Sequence, residues 1–600
     1  MDIPVVIDFE TKAIIDGSGI KPVPVGVSIL MPGEENIYVG WGHPGHNPHT
    51  RADGRRILGM VWDKPLLFHN CKFDIGVAIE HMGLPWPRQY DDTLFSSYLV
   101  DPLAKSLGLK QLAAKLLGID PEEKDAVYRW LKANFKGPFL PEHKIITEAN
   151  AGAYISYAPY DIVAPYAMGD TSRTRGLHAL LRPRVTAMGM DRAYERELRI
   201  AKLGYEMERT GVRVDRDRLV ADYGKYERIK AEQGDIISSY LGDIDITKPV
   251  QVAKAVIDKG YAVDLPRTPT GRLSTAKASV EAHVNEPALL KALRYRSTLQ
   301  TLTNTFYKGW IEHSARDGHV HPSWNQVKSQ DGGARTGRFS CSEPNLTNVP
   351  TEFGENEADV LHDVDLPYMR QYILPDEGQI IVPADFNGQE MRIMSHYAEG
   401  RALEVYQKDP TADFHAVASA LIKQYTGMTV PRKMCKIVGF SLIYGSGVAT
   451  LARQLGVTEE NARKIKNAYF KAIPGLQEFI WQFRDRHSVK TWGGRVLPCE
   501  AAKEVDGEWR TYNYKLCNYL IQGSAADQSK EAMLRYDSRK EQGRLLMMVH
   551  DELVISVHDD NKHTEIPLLR DSMEAMPGWD SPFRVEVETG INWHNLEKYD

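Results

Sequence analysis

At about 150 residues per domain, 600 residues make room for roughly four structural units and several cores without disulfide staples. Apolar residues at 42% and charged residues at 26% exclude wholesale disorder, and a net charge of −6 does not by itself suggest a nucleic-acid partner. Five scattered cysteines (Cys71, Cys341, Cys435, Cys499, Cys517) show no CxxC or Cys/His spacing, which excludes a disulfide framework and a structural zinc. No apolar run reaches the roughly 18 residues that cross a bilayer, and the acidic, strand-like start MDIPVVIDFE is no signal peptide. A soluble chain of a reducing, cytoplasmic compartment is expected.

In chain order, 3–9 (IPVVIDF), 24–31 (PVGVSILM) and 65–69 (PLLFH) are β-rich runs. Apolar spacing of three and four predicts helices over 106–118, 148–168 and 185–210, so the first 185 residues are α/β. Charged helical stretches follow at 216–240, 248–260 and 275–312, and their polar character suits an arm more than a core. Gly, Ser, Asn and Pro make 328–350 largely loop. IIVPADF (380–386) is a strand, 387–486 and 510–541 are mostly helical, and LLMMVH-DE-LVISVH (545–558) is a hairpin.

Charge is unevenly spread. Residues 431–471 hold Arg432, Lys433, Lys436, Arg453, Arg463, Lys464, Lys466 and Lys471 against only Glu459 and Glu460. Residues 286–310 are also basic. Such faces fit phosphate binding, although from charge alone a solvated helix face is the simpler reading.

Two sets of carboxylates carry the chemistry. Asp8 and Glu10 sit two apart on the first strand and project from one face. Asp74 lies in HNCKFD, and Asp161 in YAPYD with Tyr157 four residues earlier. Four acids from separate elements can converge on hard cations such as Mg²⁺, and two such metals can hydrolyse a phosphodiester, with Tyr157 orienting the water. A lone D-x-E is usually two surface acids; the order and context of four weaken that reading. The second set is Asp385, at the end of IIVPAD, and Asp551, in the VHDE turn with Glu552 beside it.

Between them, from Pro431, the residues Arg432, Lys436, Phe440 and Tyr444 recur every four positions up to Gly445. They stay on one helical face, drifting about 40° per step over roughly 18 Å. Two cations followed by two aromatics can hold a triphosphate and stack a base. A plain amphipathic helix would not segregate cations to one end and aromatics to the other.

These motifs together resemble the family A DNA polymerases. ADFNGQEMR (384–392), RKMCKIVGFSLIYG (432–445) and VHDE (549–552) resemble that family's motifs A, B and C. TGRFSCSEPNLTNVP (336–350) is similar to the loop before motif A, and QGSAAD (522–527) to the helix before motif C. DFE, NCKFD and YAPYD resemble the three motifs of a 3′–5′ proofreading exonuclease. The resemblance implies an α/β and α+β multidomain fold: an RNase H-like exonuclease domain (1–185), then a right-hand polymerase. After a connection at 186–215, the thumb would be 216–319, the palm 320–399 and 501–600, and the fingers 400–500. By length, a separate 5′-nuclease domain is not expected.

The resemblance also implies roles. Asp385, Asp551 and the carbonyl of Phe386 would hold two polymerase metals; Asp8, Glu10, Asp74 and Asp161 would hold two more. The cofactor implied is Mg²⁺, with Mn²⁺ able to substitute. Arg432, Lys436 and His415 would bind the triphosphate, with Lys436 and Glu552 counted among the catalytic groups. Glu390 would be the steric gate against a 2′-hydroxyl, paired with Tyr444, and Phe440 would disfavour dideoxynucleotides. Arg338, Asn345, Asn518, Gln522 and His550 would contact primer–template DNA. Besides DNA and dNTPs, a processivity factor or other replisome protein is a candidate partner, and a membrane is not. The compact chain leans towards a phage replicative enzyme.

Some positions depart from the family pattern: Gly388 and Gln389 in motif A, Met548 before VHDE, and Tyr514 with Lys515 before Gln522. These touch minor-groove contacts rather than metal ligands. An RNA polymerase or primase-like enzyme is disfavoured by Glu390 and the exonuclease set, and a non-catalytic scaffold by the retention of both carboxylate sets.

Overall fold

The first strand is buried along both faces except at Asp8, as expected for a central strand covered by helices. In the computed structural model, which describes residues 3–15, 17–119, 122–268, 270–328, 334–351, 360–505 and 507–599, it becomes β1 (Val5–Thr11). With β2 (Pro24–Leu30), β3 (Ile37–Gly40), β4 (Leu66–Phe68) and β5 (Tyr90–Asp92) it forms a sheet of order β3-β2-β1-β4-β5. The first three strands are antiparallel; β4 and β5 run parallel to β1. Three of these strands match the predicted runs. β3 and β5 have only four and three residues, too few to show a period.

Pro159 alters the helix predicted over 148–168. The chain forms a short 3₁₀ turn, Ala151–Tyr157, and then a long helix, Tyr160–Ala187, for which Pro159 is the N-cap. At the helix entrance the missing proline N–H costs no ladder bond, so the long helix starts after Pro159; Pro165 and Pro183 lie further inside the same helix, where each leaves one ladder bond unmade.

Helix Asp191–Thr210 joins two cores. Its Ala193, Tyr194 and Ala201 pack into the first unit, while Ile200, Leu203 and Met207 pack into the second. Next, helices Arg216–Leu241 and Pro287–Thr301 pack on one another and share a small apolar cluster built from Ile237, Leu241, Val256 and Leu289. This is the polar arm, with a modest core of its own. Of the predicted loop, 329–333 lie outside the described residues; the described part contains one short strand, Ser340–Ser342.

The second large sheet is antiparallel, with strand order Arg544–Val549, Glu552–His558, Gln379–Phe386, Val585–Gly590, Leu596–Lys598. Its three apolar strands match the sequence reading; the last two, of which Leu596–Lys598 forms an edge, are partly exposed and lack a continuous apolar run. Two hairpins between 488 and 510, one of them almost wholly exposed, also escaped that reading. Among the described residues no helix is long and apolar enough to cross a membrane.

Candidate active sites

The pleat of β1 sends Asp8 and Glu10 to one face. Asp74 comes from the first turn of helix Cys71–Val77. That helix starts at Asn70, whose φ is 74°, and Asp92 on β5 caps it by accepting from the N–H groups of Asn70 (3.1 Å) and Cys71 (2.6 Å). Asp74 in turn accepts from the Phe9 N–H at 2.9 Å, which fixes it against the strand between the two acids.

The next acid is Asp170. Carboxylate oxygens of Asp8, Glu10 and Asp170 lie within 4.8 Å of one another. The sequence predicts Asp161 in this place, with Tyr157, and the structure puts both elsewhere. Asp161 is exposed and lies nine residues before Asp170 in the same helix. That separation is about two and a half turns, so the two side chains leave opposite sides of the helix. Tyr157 is exposed in the 3₁₀ turn, with its ring 4.8 Å from that of Phe135, and Pro159 removes the common helical face it was expected to share with Asp161. The missed signal is a second Tyr-x-x-x-Asp, YAMGD (166–170), inside uninterrupted helix.

Sequence reasoning also missed Lys110. Its Nζ donates to Asp170 Oδ2 at 2.5 Å and sits 4.0 Å from the centroid of the Tyr166 ring. Burial alone would lower the Lys110 ammonium, and Asp170 and Tyr166 together more than reverse this. Burial, then the Asp170 carboxylate, pushes Asp8 up to about 8. Burial, with neighbouring acids, likewise holds Glu10 and Asp74 well above the usual carboxylate range. Glu10 Oε1 is buried with no hydrogen-bond partner. Convergent carboxylates with an orphaned oxygen are a donor set that fits a hard divalent cation. A cleft of about 660 Å³ opens nearby between the two units, lined by Ile14, Asn70 and Phe73 on one wall and His321 and Trp324 on the other.

The second sheet sets Asp385 directly opposite Glu552, and Asp551 is in the turn just before that residue. The Phe386 N–H donates to the Asp551 carbonyl at 3.3 Å, which locks strand end to turn. His550 holds φ at 59°, a left-handed position that sharpens the turn and leaves its side chain exposed. Desolvation, then Asp551, Glu552 and Glu586, pushes Asp385 up to about 8, and solvent screening tempers that shift because Asp385 is itself exposed. Asp551 and Glu552 are raised too, chiefly by burial. Glu552 is anchored: its Oε1 accepts from Trp593 Nε1 at 2.9 Å, and Arg370 lies 3.9 Å from its other oxygen. No third acid joins this pair within the 4.8 Å spacing seen at the first site, among the described residues.

Helix Arg432–Ile443 follows its pattern. Arg432, Lys436 and Tyr444 are exposed and Phe440 is half-buried, while Cys435, Val438, Gly439 and Ile443 are buried behind them. The Phe440 and Tyr444 rings stack at 6.0 Å, and His415 lies 5.8 Å from Phe440. Burial pushes His415 down to about 4, and its Nδ1 has no partner. Arg432 is paired with Asp413. Tyr444 donates to Glu390 Oε2 at 3.1 Å, and Arg338 pairs with the other oxygen of Glu390.

Asn518 Oδ1 is buried and unpartnered, and Gln522 is half-buried one turn further along the helix Lys515–Arg539. Asn345 Oδ1 accepts from the Thr347 N–H (3.0 Å) and hydroxyl (2.7 Å), so its carbonyl shapes its own loop and is not free for DNA. At the departing positions, Gly388 takes φ of 65° before the helix Gln389–Ala398. Gln389 is buried, and its amide donates to Gln528 Oε1 (3.0 Å) and Ser529 Oγ (3.1 Å). Met548 fills core. Tyr514 lies against Gly445, and Lys515 is tied to Glu500 at 2.7 Å.

Comparison with known proteins matches residues 47–186 to the family model for 3′–5′ exonuclease and residues 224–595 to that for DNA polymerase family A. The second match covers more than half of the chain. The chain belongs to DNA polymerase family A. Among this family's curated members, it is 27% identical to DNA polymerase I of Rhizobium leguminosarum over 90% of this chain and 52% of that one. DNA polymerase I of Pseudomonas aeruginosa is also 27% identical, over 95% of this chain and 61% of its own. The chain thus spans about half to three fifths of these bacterial polymerases. It is 26% identical to DNA polymerase DpoZ of Salmonella phage PMBT28, over 87% of this chain and 89% of that one. In fold it matches the POL domain of Pol1 from M. smegmatis, solved in complex with DNA primer–template and dNTP. The TM-score is 0.75 at 21% identity, over 99% of this chain and 96% of that one.

Proposed function

We propose that this chain is a DNA-directed DNA polymerase that adds dNTPs to a primer 3′-OH and excises mispaired ends at a second, 3′–5′ exonuclease site. The observation that carries the reading is the bond from Tyr444 to Glu390. It ties the helix of two cations and two aromatics to the helix that directly follows Asp385, so triphosphate, base and reacting phosphate meet at one place. The near end-to-end match to a phage polymerase supports phage genome replication as the setting.

Asp385, Asp551 and the Phe386 carbonyl would hold one pair of Mg²⁺ ions, and Asp8, Glu10, Asp74 and Asp170 the other; Mn²⁺ would be tolerated. Bound there, the ions supply charge stabilisation for phosphoryl oxygens and an activated hydroxyl. Arg432 exchanges Asp413 for the triphosphate, joined by Lys436 and by neutral His415, whose imidazole still donates an N–H. Phe440 and Tyr444 stack the incoming base. Glu390, held from two sides, stands where a 2′-hydroxyl would fall. Glu552, anchored by Trp593, adds negative charge beside Asp385 and Asp551. Arg338, Asn518, Gln522, His550 and the Asn345 loop line the duplex. At the second site Tyr166, not Tyr157, orients the attacking water.

Residues 216–319 are read as thumb, 320–399 and 501–600 as palm, 400–500 as fingers and 1–185 as exonuclease domain. The cleft between the two units, lined by Phe73 next to Asp74, would be the approach of an unpaired primer end to the first site. A gel assay on a 5′-labelled primer annealed to a longer template tests this reading in Mg²⁺. Extension with dNTPs and shortening without them are expected; shortening in both lanes would reduce the protein to an exonuclease.

A further inference from the structure

Tyr98 belongs to helix Thr93–Val100 of the exonuclease unit, yet its hydroxyl ends between two segments of the polymerase unit. It donates to the Arg335 carbonyl at 2.8 Å and accepts from Arg495 Nη1 at 2.9 Å. Tyr98 and Arg495 are both fully buried. Arg495 is fixed in its turn: Nε donates to Asp527 Oδ1 and Nη2 to the Gly523 carbonyl, each at 2.7 Å. Gly523 directly follows Gln522.

Gly337 closes over this pair. It takes φ of 77°, and a Cβ there would come within 2.2 Å of Arg495 Nη1 and 3.0 Å of the Tyr98 hydroxyl. Only a glycine therefore lets the turn settle on the two side chains. The next residue is Arg338, the partner of Glu390. An exonuclease side chain thus pins the backbone turn from which the Glu390 partner projects. A buried tyrosine needs a hydrogen-bond partner somewhere, and that alone would not place it between this turn and an arginine locked to the helix that carries Gln522.

We propose that Tyr98 is a positioning residue for nucleotide selection at the polymerase site, acting through the 335–338 turn and Arg338 on Glu390. The proposal rests on the polymerase reading above. Tyr98 takes no part in the carboxylate group at which excision is placed, so the two activities respond differently to its loss.

The test is Tyr98→Phe, which keeps the ring and removes only the hydroxyl. Wild type and variant are compared for dNTP KM and kcat, for the preference of dNTP over rNTP, and for excision of single-stranded DNA. Losing hydrogen bonds to a carbonyl and a guanidinium predicts a rise of about 3- to 10-fold in dNTP KM and a similar loss of rNTP discrimination. Excision stays within about twofold of wild type. Gly337→Ala disturbs the same turn from the other side and gives the same pattern. Because the two act through one element, the double variant falls short of the product of the singles. Unchanged KM and discrimination in Tyr98→Phe overturn the proposal, as does a loss of extension and excision in equal measure. A wild-type protein that fails to extend the primer refutes instead the polymerase reading beneath it.

Discussion

Replacing Asp170 by Asn separates the two candidate acids of the Tyr-x-x-x-Asp motifs. Asp170 supplies one of three carboxylates within 4.8 Å of each other. Removing one ionic ligand from a two-metal site costs several kcal/mol of transition-state stabilisation, which is about 10²- to 10³-fold in excision rate. The substitution also strips Lys110 of its carboxylate at 2.5 Å, leaving a buried ammonium without its counter-charge. That costs about 3 kcal/mol of stability. A second change, Lys110→Met, removes the nearer of the two cations paired with Asp170, the other being Arg173 at 3.3 Å. Asp170→Asn with Lys110→Met should regain much of the melting temperature without regaining excision, so the rate loss is not an unfolding artefact. Asp161→Asn, at an exposed position on the far side of the helix, should leave excision within about twofold. The assay is release of the 3′ nucleotide from a single-stranded oligonucleotide in Mg²⁺, with thermal melting alongside. Normal excision by Asp170→Asn, together with loss in Asp161→Asn, would refute the reasoning.

Three further outcomes are expected. Without metal, Asp8 and Asp385 keep protons up to about pH 8 in the folded chain, whereas the unfolded chain releases them near pH 4. The folded state then binds more protons, so stability falls as pH rises. Buried histidines such as His415, pushed down to about 4, act in the opposite sense only below about pH 6.5. Melting in EDTA should therefore drop between about pH 6.5 and 8, with divalent cation restoring most at the alkaline end; a rise over that window contradicts the assignment. Glu390→Ala should lower the preference for dNTP over rNTP at least about tenfold with little change in excision, as read by single-nucleotide incorporation. Trp593→Phe frees Glu552 from its 2.9 Å bond, and should cost about 1–2 kcal/mol by denaturant unfolding and slow extension more than excision.

Much of this is legible in the amino-acid sequence. Long apolar strands ending in Asp385 or turning at Asp551 announce themselves, because both their faces are covered. The stripe from Arg432 to Tyr444 could be read because helical period and chemistry agree. Asp170 was hidden by a duplicate: YAPYD and YAMGD share one spacing, and it is the tertiary packing that buries Asp170 beside Asp8 and Glu10 and leaves Asp161 exposed. Lys110, Trp593 and Tyr98 act across 60, 41 and 237 residues of sequence, and no local pattern encodes such meetings. Gln389 looked like a doubtful minor-groove position; it is a satisfied buried amide that couples the helices Gln389–Ala398 and Lys515–Arg539. Strands β3 and β5 escaped because three or four residues show no period, and the exposed hairpin because it buries too little to impose one.

The central claim is that two separate carboxylate sites perform opposite reactions on one primer. The most direct measurement follows a 5′-labelled primer–template in Mg²⁺ with Asp551→Ala and Asp8→Ala, each with and without dNTPs. Asp551→Ala should shorten the primer in both lanes and never extend it. Asp8→Ala should extend it with dNTPs and leave it intact without them. Loss of both activities from either substitution, in a protein that still melts cooperatively, would contradict the two-site account.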